Sequence, residues 1–179
     1  MKVPDIKSSE SIYNGRVFDV RLDRVVEDGV EYQREVVVHR GSAVIVPLFD
    51  DGTVALVRQY RHPADDYLLE VPAGSLEAGE DPLTAARREL EEEIGVTAAN
   101  LEKIAEFYVS PGFLTEKMHI FLATSLTPTT QNLEPDELIQ IERIPLTQAA
   151  HLARTGQIQD AKTIVGLLTA ETMCPLART

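Results

Sequence analysis

The chain predicts an α+β fold in which a mixed sheet carries packed helices and a small antiparallel sheet precedes it. Two observations carry that prediction. Strand-like segments come first, then one helical segment, then strands again, then helices, and this order lacks the regular strand-helix alternation of a parallel βαβ series. Turn signals built on Gly beside Asn or Asp also fall between the early apolar runs, as short antiparallel connections require.

Residues 11 to 40 alternate apolar with polar side chains, turn at Asn14-Gly15 and again at Asp28-Gly29, and read as a small antiparallel sheet. "SAVIVPLF" and "TVALVRQY" are denser apolar runs, read as core strands joined in a hairpin by Asp50-Asp51-Gly52. "KMHIFLATSL" and "ELIQIERIPL" are further strands. "LTQAAHLART" and "DAKTIVGLLTAETM" repeat apolar residues at three-to-four spacing and close the chain with helices. There is no repeat, low-complexity tract or long linker, so the expected boundary lies near Arg40-Gly41, giving regions 1–40 and 41–179.

Composition narrows function. With 44% hydrophobic residues in 179, the chain has enough apolar surface for one globular core. No apolar run approaches the ~18 residues of a membrane span, and "MKVPDIKSSE" lacks a secretory apolar core, so a cytoplasmic protein is expected. The lone Cys174 excludes an internal disulfide and any multi-cysteine metal cluster. A net charge of -12 disfavours nucleic acid and anionic membrane as partners. His39, His62, His119 and His151 show no zinc-ligand spacing. A small anion remains open if a local positive site exists, and bound divalent cations would supply one.

The central helix starts at Asp81-Pro82, an N-cap acceptor followed by a residue that needs no helical N–H, and stops at Gly95, which tolerates the left-handed conformation. Leu83, Ala86, Leu90 and Ile94 form one apolar stripe, and Glu89, Glu92 and Glu93 cluster on an adjoining face. Like charges so placed destabilise a helix by a few tenths of a kcal/mol per pair, and by more when partly buried. A solvated acidic face, with Arg87 and Arg88 compensating, is the plain reading of such a run.

The surrounding residues replace that reading. Gly74, Glu80, Arg88-Glu89-Leu90, Glu92-Glu93, Gly95 and Val96 stand at the spacing of a complete Nudix box, which seven fixed identities would meet by chance with a probability on the order of 10⁻⁸ per start position. The chain resembles the Nudix hydrolases, whose fold is a mixed sheet packed between helices, an α/β/α sandwich. Glu89, Glu92 and Glu93 are hard oxygen ligands of the kind Mg²⁺ or Mn²⁺ prefers. By the resemblance, the Ala73 carbonyl adds a further ligand. Such ions bridge phosphate oxygens, acidify the attacking water and neutralise the leaving phosphate.

Three features outside the box resemble the ADP-ribose pyrophosphatase branch. "SPGF" places Pro111 sixteen residues beyond Gly95, "VRQYR" and "EVPAG" lead into the box, and "REVVVH" lies in strands like those these enzymes exchange across a homodimer. The resemblance puts Arg58 and Arg61 at the diphosphate, where planar guanidinium groups suit phosphate oxygens; an ordinary surface arginine at a strand end is the alternative for each. It puts Arg34 and Glu35 at the adenine end of the partner subunit's substrate, with Tyr32 or the Arg34 guanidinium replacing a stacking aromatic. Ser75, Ser110, Gly112 and Glu116 fall in its substrate loops.

The same resemblance assigns a late acid, as metal ligand or general base, to the loop "NLEPDELIQIERI", where the following strand's register selects Glu137. Pro135 stands where a second acid is expected, so Glu137, Glu92 and Glu134 all remain candidates for the base. The implied activity is Mg²⁺-dependent hydrolysis of ADP-ribose to AMP and ribose 5-phosphate by a homodimer. Another ADP-sugar or nucleotide-sugar, or a sensor that binds ADP-ribose without cleaving it, are the competing readings; three intact carboxylates argue against the sensor.

Overall fold

The computed structural model describes residues 2–133, 135 and 137–174, so Glu134 lies outside the described residues. The chain divides into two compact units, the described residues of Met1–Gly41 with Phe107–Lys117, and those of Ser42–Glu106 with Met118–Thr179.

In the first unit β1 (Asp5–Asn14), β2 (Asp19–Glu27) and β3 (Val30–Val38) form an antiparallel sheet in that order. Gly29 has φ 82°, and Asp28 beside it has φ 49°, so the turn uses the left-handed conformations that these residue types tolerate best. Strand β1 begins six residues before the alternation that predicted it, at Asp5, because its polar stretch "DIKSSE" pairs with β2 without burying a face. None of its ten residues is buried. A parallel bridge from Val37 to Leu114 attaches the 107–117 segment.

The second unit is a three-layer arrangement. Its mixed sheet runs β7 (Ala73–Ser75), β4 (Ser42–Pro47), β9 (Lys117–Pro128), β8 (Val96–Tyr108), with β4 antiparallel to β7 and parallel to β9. Every residue of β4 is buried, and its two faces serve two helices. Ala43 and Ile45 join the core beneath α1 (Pro82–Ile94), together with Ala85, Ala86, Leu90 and Ile94. Val46 faces α3 (Ala161–Met173): a Cβ added at Gly166 would come within 3.0 Å of its methyl group. Glycine there allows close helix–sheet approach. Helix α2 (Leu146–Arg154) follows a second, antiparallel sheet of β10 (Ile139–Pro145), β5 (Thr53–Arg61) and β6 (Asp66–Glu70).

The expected β4–β5 hairpin is corrected by this topology. The turn forms, with Gly52 at φ 77° and one antiparallel bridge from Leu48 to Val54. The strands then part into different sheets, because β4 finds its partners in β7 and β9 whereas β5 finds its own in β6 and β10. Among the described residues no helix is long and apolar enough to cross a membrane.

Candidate active site

Helix α1 is anchored at both ends as its sequence requires. Asp81 accepts from the N–H groups of Leu83 and Thr84 at 3.1 and 3.2 Å, and Gly95, at φ 65°, donates to the Glu91 carbonyl at 3.0 Å. The next two carbonyls along the helix are capped from the 129–132 segment: Asn132 N–H donates to Glu92 O at 3.0 Å and the Gln131 side chain to Glu93 O at 2.6 Å. The loop leading to Glu137 is thereby tied to the end of the helix that carries the glutamates.

Four residues apart on α1, Glu89 and Glu93 are 6% and 5% exposed, whereas Glu92 is half-buried. Burial drives the Glu93 carboxyl upward, the Glu89 charge adds to it, and the Ala73 N–H, donating to Glu93 Oε2 at 3.1 Å, only partly opposes them; the result is pushed up to about 8. Burial also raises Glu89, against the lowering effect of Arg88. Glu137, half-buried, is close enough for its charge to raise both carboxyls. The second unit thus brings Glu89, Glu93, Glu137 and the Ala73 backbone together.

The counter-charge is Arg88. Its Nη1 donates to Glu89 Oε1 at 2.6 Å and to Glu92 Oε2 at 3.0 Å, while Nε and Nη2 each reach a Glu80 oxygen at 3.1 Å. The hydrogen bond to Arg88 holds Glu80 below the ordinary carboxylate range. Arg87 instead reaches the Ala98 carbonyl at 3.1 Å and takes no part. With Arg88 occupying Glu89 and Glu92, no three Asp, Glu, His or Cys side chains among the described residues form a ready-made metal cage. The donor set nonetheless suits a hard divalent cation: buried carboxylates that raise one another's proton affinity carry more negative charge than Arg88 alone offsets.

Arg61, on β5, makes a two-pronged pair with Glu70 of β6, Nε to Oε1 at 2.8 Å and Nη2 to Oε2 at 2.7 Å, and lies within electrostatic reach of Glu93. Arg58 bonds Glu142 of β10 through Nε at 2.6 Å. Ser75 is exposed on β7, and its carbonyl lies 3.4 Å from Arg88 Nη2. Arg34, Glu35, Ser110, Gly112 and Glu116 belong to the first unit. There the Arg34 guanidinium stacks 4.1 Å from the Tyr32 ring centroid on exposed β3, so the two alternatives to a stacking aromatic occur as one pair. Glu35 is exposed beside them. Ser110 starts the turn through Gly112, accepting from Phe113 and Leu114 N–H, and the Glu116 carboxylate lies 3.6 Å from His39 Nδ1.

Sequence reasoning missed Glu70, which pairs with Arg61, and Asp160 and Lys162, which extend that pair into a network. Glu70 stands in "EVPAG" and Lys162 in "DAKTIV", but nothing in either segment announces that residues 92 positions apart share an ion pair.

A NUDIX domain model matches residues 39–165. The chain is 39% identical over 159 residues to the ADP-ribose pyrophosphatase of Bacillus subtilis (strain 168), covering 87% of this chain and 86% of that one. It is 36% identical to the ADP-ribose pyrophosphatase of Mycobacterium tuberculosis (strain ATCC 25618 / H37Rv), covering 90% and 80%, and 32% identical to the GDP-mannose pyrophosphatase of Citrobacter koseri (strain ATCC BAA-895 / CDC 4225-83 / SGSC4696), covering 91% and 90%. A crystal structure of an ADP compounds hydrolase superposes with a TM-score of 0.85 at 25% identity, covering 100% of this chain and 98% of that one. With the box on one capped helix and its buried carboxylates drawn together, the match places the chain in the Nudix family, as a Nudix hydrolase.

Proposed function

We propose that the protein hydrolyses the diphosphate bond of ADP-ribose, giving AMP and ribose 5-phosphate. The observation that supports this most is the convergence of Glu89, Glu93 and Glu137 next to Arg61, which joins anionic ligands to a phosphate-binding cation. The likeness to two ADP-ribose pyrophosphatases supports this choice of substrate.

Glu89, Glu92, Glu93, Glu137 and the Ala73 carbonyl would hold Mg²⁺ or Mn²⁺. Such a cation would supply neutralisation of phosphate charge and acidification of a water. Arg61 and Arg58 bind diphosphate oxygens, Arg34 stacked on Tyr32 and Glu35 take the adenine end in a homodimer, and Ser75, Ser110, Gly112 and Glu116 line the substrate loops. Water attacks one phosphorus, its proton passes to a carboxylate, and the bond from that phosphorus to the bridging oxygen breaks. Glu137 is the base in this reading and Glu92 the competitor. Residues 1–40 form the arm exchanged between subunits, and residues 41–179 the Nudix domain. A cytoplasmic location, fitting a lone thiol, belongs to the same reading.

A substrate panel at fixed Mg²⁺ tests it, comparing kcat/KM for ADP-ribose, ADP-glucose, GDP-mannose, NADH and dinucleoside polyphosphates. ADP-ribose is expected to lead. A leading GDP-mannose would reassign the substrate, and tight ADP-ribose binding without turnover would make the protein a sensor.

A further inference from the structure

Outside the Nudix box, four charged side chains of the second unit form one network around the buried pair Glu70 and Lys162. Glu70 is 1% exposed and, besides its two bonds from Arg61, accepts from Lys162 Nζ through Oε2. Lys162 Nζ also lies 3.0 Å from Asp160 Oδ1. Asp160 caps α3, accepting from the Thr163 N–H at 3.0 Å and the Thr163 hydroxyl at 2.5 Å; that hydroxyl accepts from Val71 N–H at 2.9 Å. The network therefore ties the residue after Glu70 back to the helix that supplies Lys162.

Stability alone does not require such an arrangement. Lys162 is 8% exposed and sits in the first turn of α3, where both desolvation and the helix dipole disfavour a cation. Apolar residues of similar volume commonly replace a buried ion pair at no loss of stability. What the ions do achieve is orientation. Glu70 occupies the Nε–Nη2 edge of Arg61, and among the described residues Nη1 makes no hydrogen bond, while the guanidinium stays half-buried near Glu93. Lys162 Nζ shares Glu70 Oε2 with Arg61 Nη2, adding a second donor to the oxygen that carries one prong of the pair.

We propose that Glu70 and Lys162 are positioning residues that fix the Arg61 guanidinium with its Nη1 edge available to a phosphate oxygen of the substrate. This rests on the reading of Arg61 as a diphosphate ligand. Without Lys162, Glu70 keeps only its two bonds from Arg61, and the Arg61–Glu70 pair is free to tilt. Substrate binding then suffers more than the chemical step, because the cation remains present but misplaced.

The test is steady-state kinetics of the full-length protein, wild type against Arg61→Gln, Lys162→Met, Lys162→Arg and the double variant Glu70→Gln with Lys162→Gln. Each is assayed on whichever nucleotide diphosphate the wild type turns over fastest, so a failed ADP-ribose reading changes the substrate and not the comparison. Lys162→Met is expected to raise KM by roughly tenfold with kcat within about threefold and the Mg²⁺ activation midpoint unmoved, and Lys162→Arg to restore most of the loss. The neutral double variant keeps hydrogen-bonding side chains in place of both charges, stands in should Lys162→Met not fold, and is expected to raise KM likewise. A KM within twofold of wild type in the folded Lys162 variants, while Arg61→Gln raises it tenfold, overturns the positioning role. An unchanged KM in Arg61→Gln overturns it as well, by removing its object.

Discussion

A Cβ built on Gly74 falls 1.8 Å from Glu89 Oε1 and 2.0 Å from its carboxyl carbon, so the box glycine and the first box glutamate of α1 occupy one space. Gly74 is not in the left-handed region, and its role is to leave room rather than to turn the chain. Gly74→Ala is therefore expected to expel the Glu89 carboxylate and to lower kcat by about 10- to 100-fold with a higher Mg²⁺ requirement. An unaltered Mg²⁺ titration would dissociate Gly74 from the metal site.

Removing the cation should abolish turnover. Activity is expected to vanish in EDTA and return with Mg²⁺ or Mn²⁺, and Glu93→Gln or Glu89→Gln to lower kcat by at least ~10²-fold, since each deletes an anionic ligand. Full activity in EDTA would remove the metal from the mechanism. Altering the Ala73 side chain should matter little, because only its backbone is involved.

Glu137→Gln is expected to lower kcat by at least ~10²-fold with KM for ADP-ribose within a few-fold of wild type, the signature of a positioned base rather than a solvated acid. A loss under about threefold would transfer the role to Glu92 or Glu134, and the same assay on those variants would choose between them.

Light scattering at micromolar concentration should give a homodimer. The motivation is β1, which buries none of its ten residues and exposes Ile6, Ile12 and Tyr13 by more than half. Deleting residues 1–39 should cost both assembly and substrate affinity; a truncated protein with native KM would remove Arg34 and Glu35 from the site.

Acid should weaken the fold through Glu70. Burial alone would raise its carboxyl, but hydrogen bonds and charge from Arg61 and Lys162 outweigh it and hold the group below its ordinary value. A depressed folded-state value contributes stability above the unfolded carboxyl's ~4.3 that disappears as pH falls through the folded value. Between pH 7 and pH 3 the wild-type Tm should therefore fall more steeply than that of the Glu70→Gln, Lys162→Gln variant.

Signals confined to a short window were readable from sequence. Asp81-Pro82 and Gly95 bound α1 because capping is a local matter, and the glutamate spacing follows from helical pitch. Strand β8 went unread because "VTAANLEKIAEFY" mixes helix formers into a mostly exposed strand, and β6 because its five residues sit among turn-forming aspartates. The parting of β4 from β5 depends on partners far along the chain, as does the meeting of Lys162 with Glu70. No window of either segment contains that information.

Arg88 has one more implication. A cation covalently built into the acidic helix would work as a permanent understudy for the proposed metal, present from the moment the chain leaves the ribosome. Zinc fingers and many other small metallo-domains, by contrast, stay unfolded until their ion arrives. If activity depends on the proposed cation, maturation and activation are separate events, and a cell starved of divalent ions would hold a reserve of finished but silent enzyme.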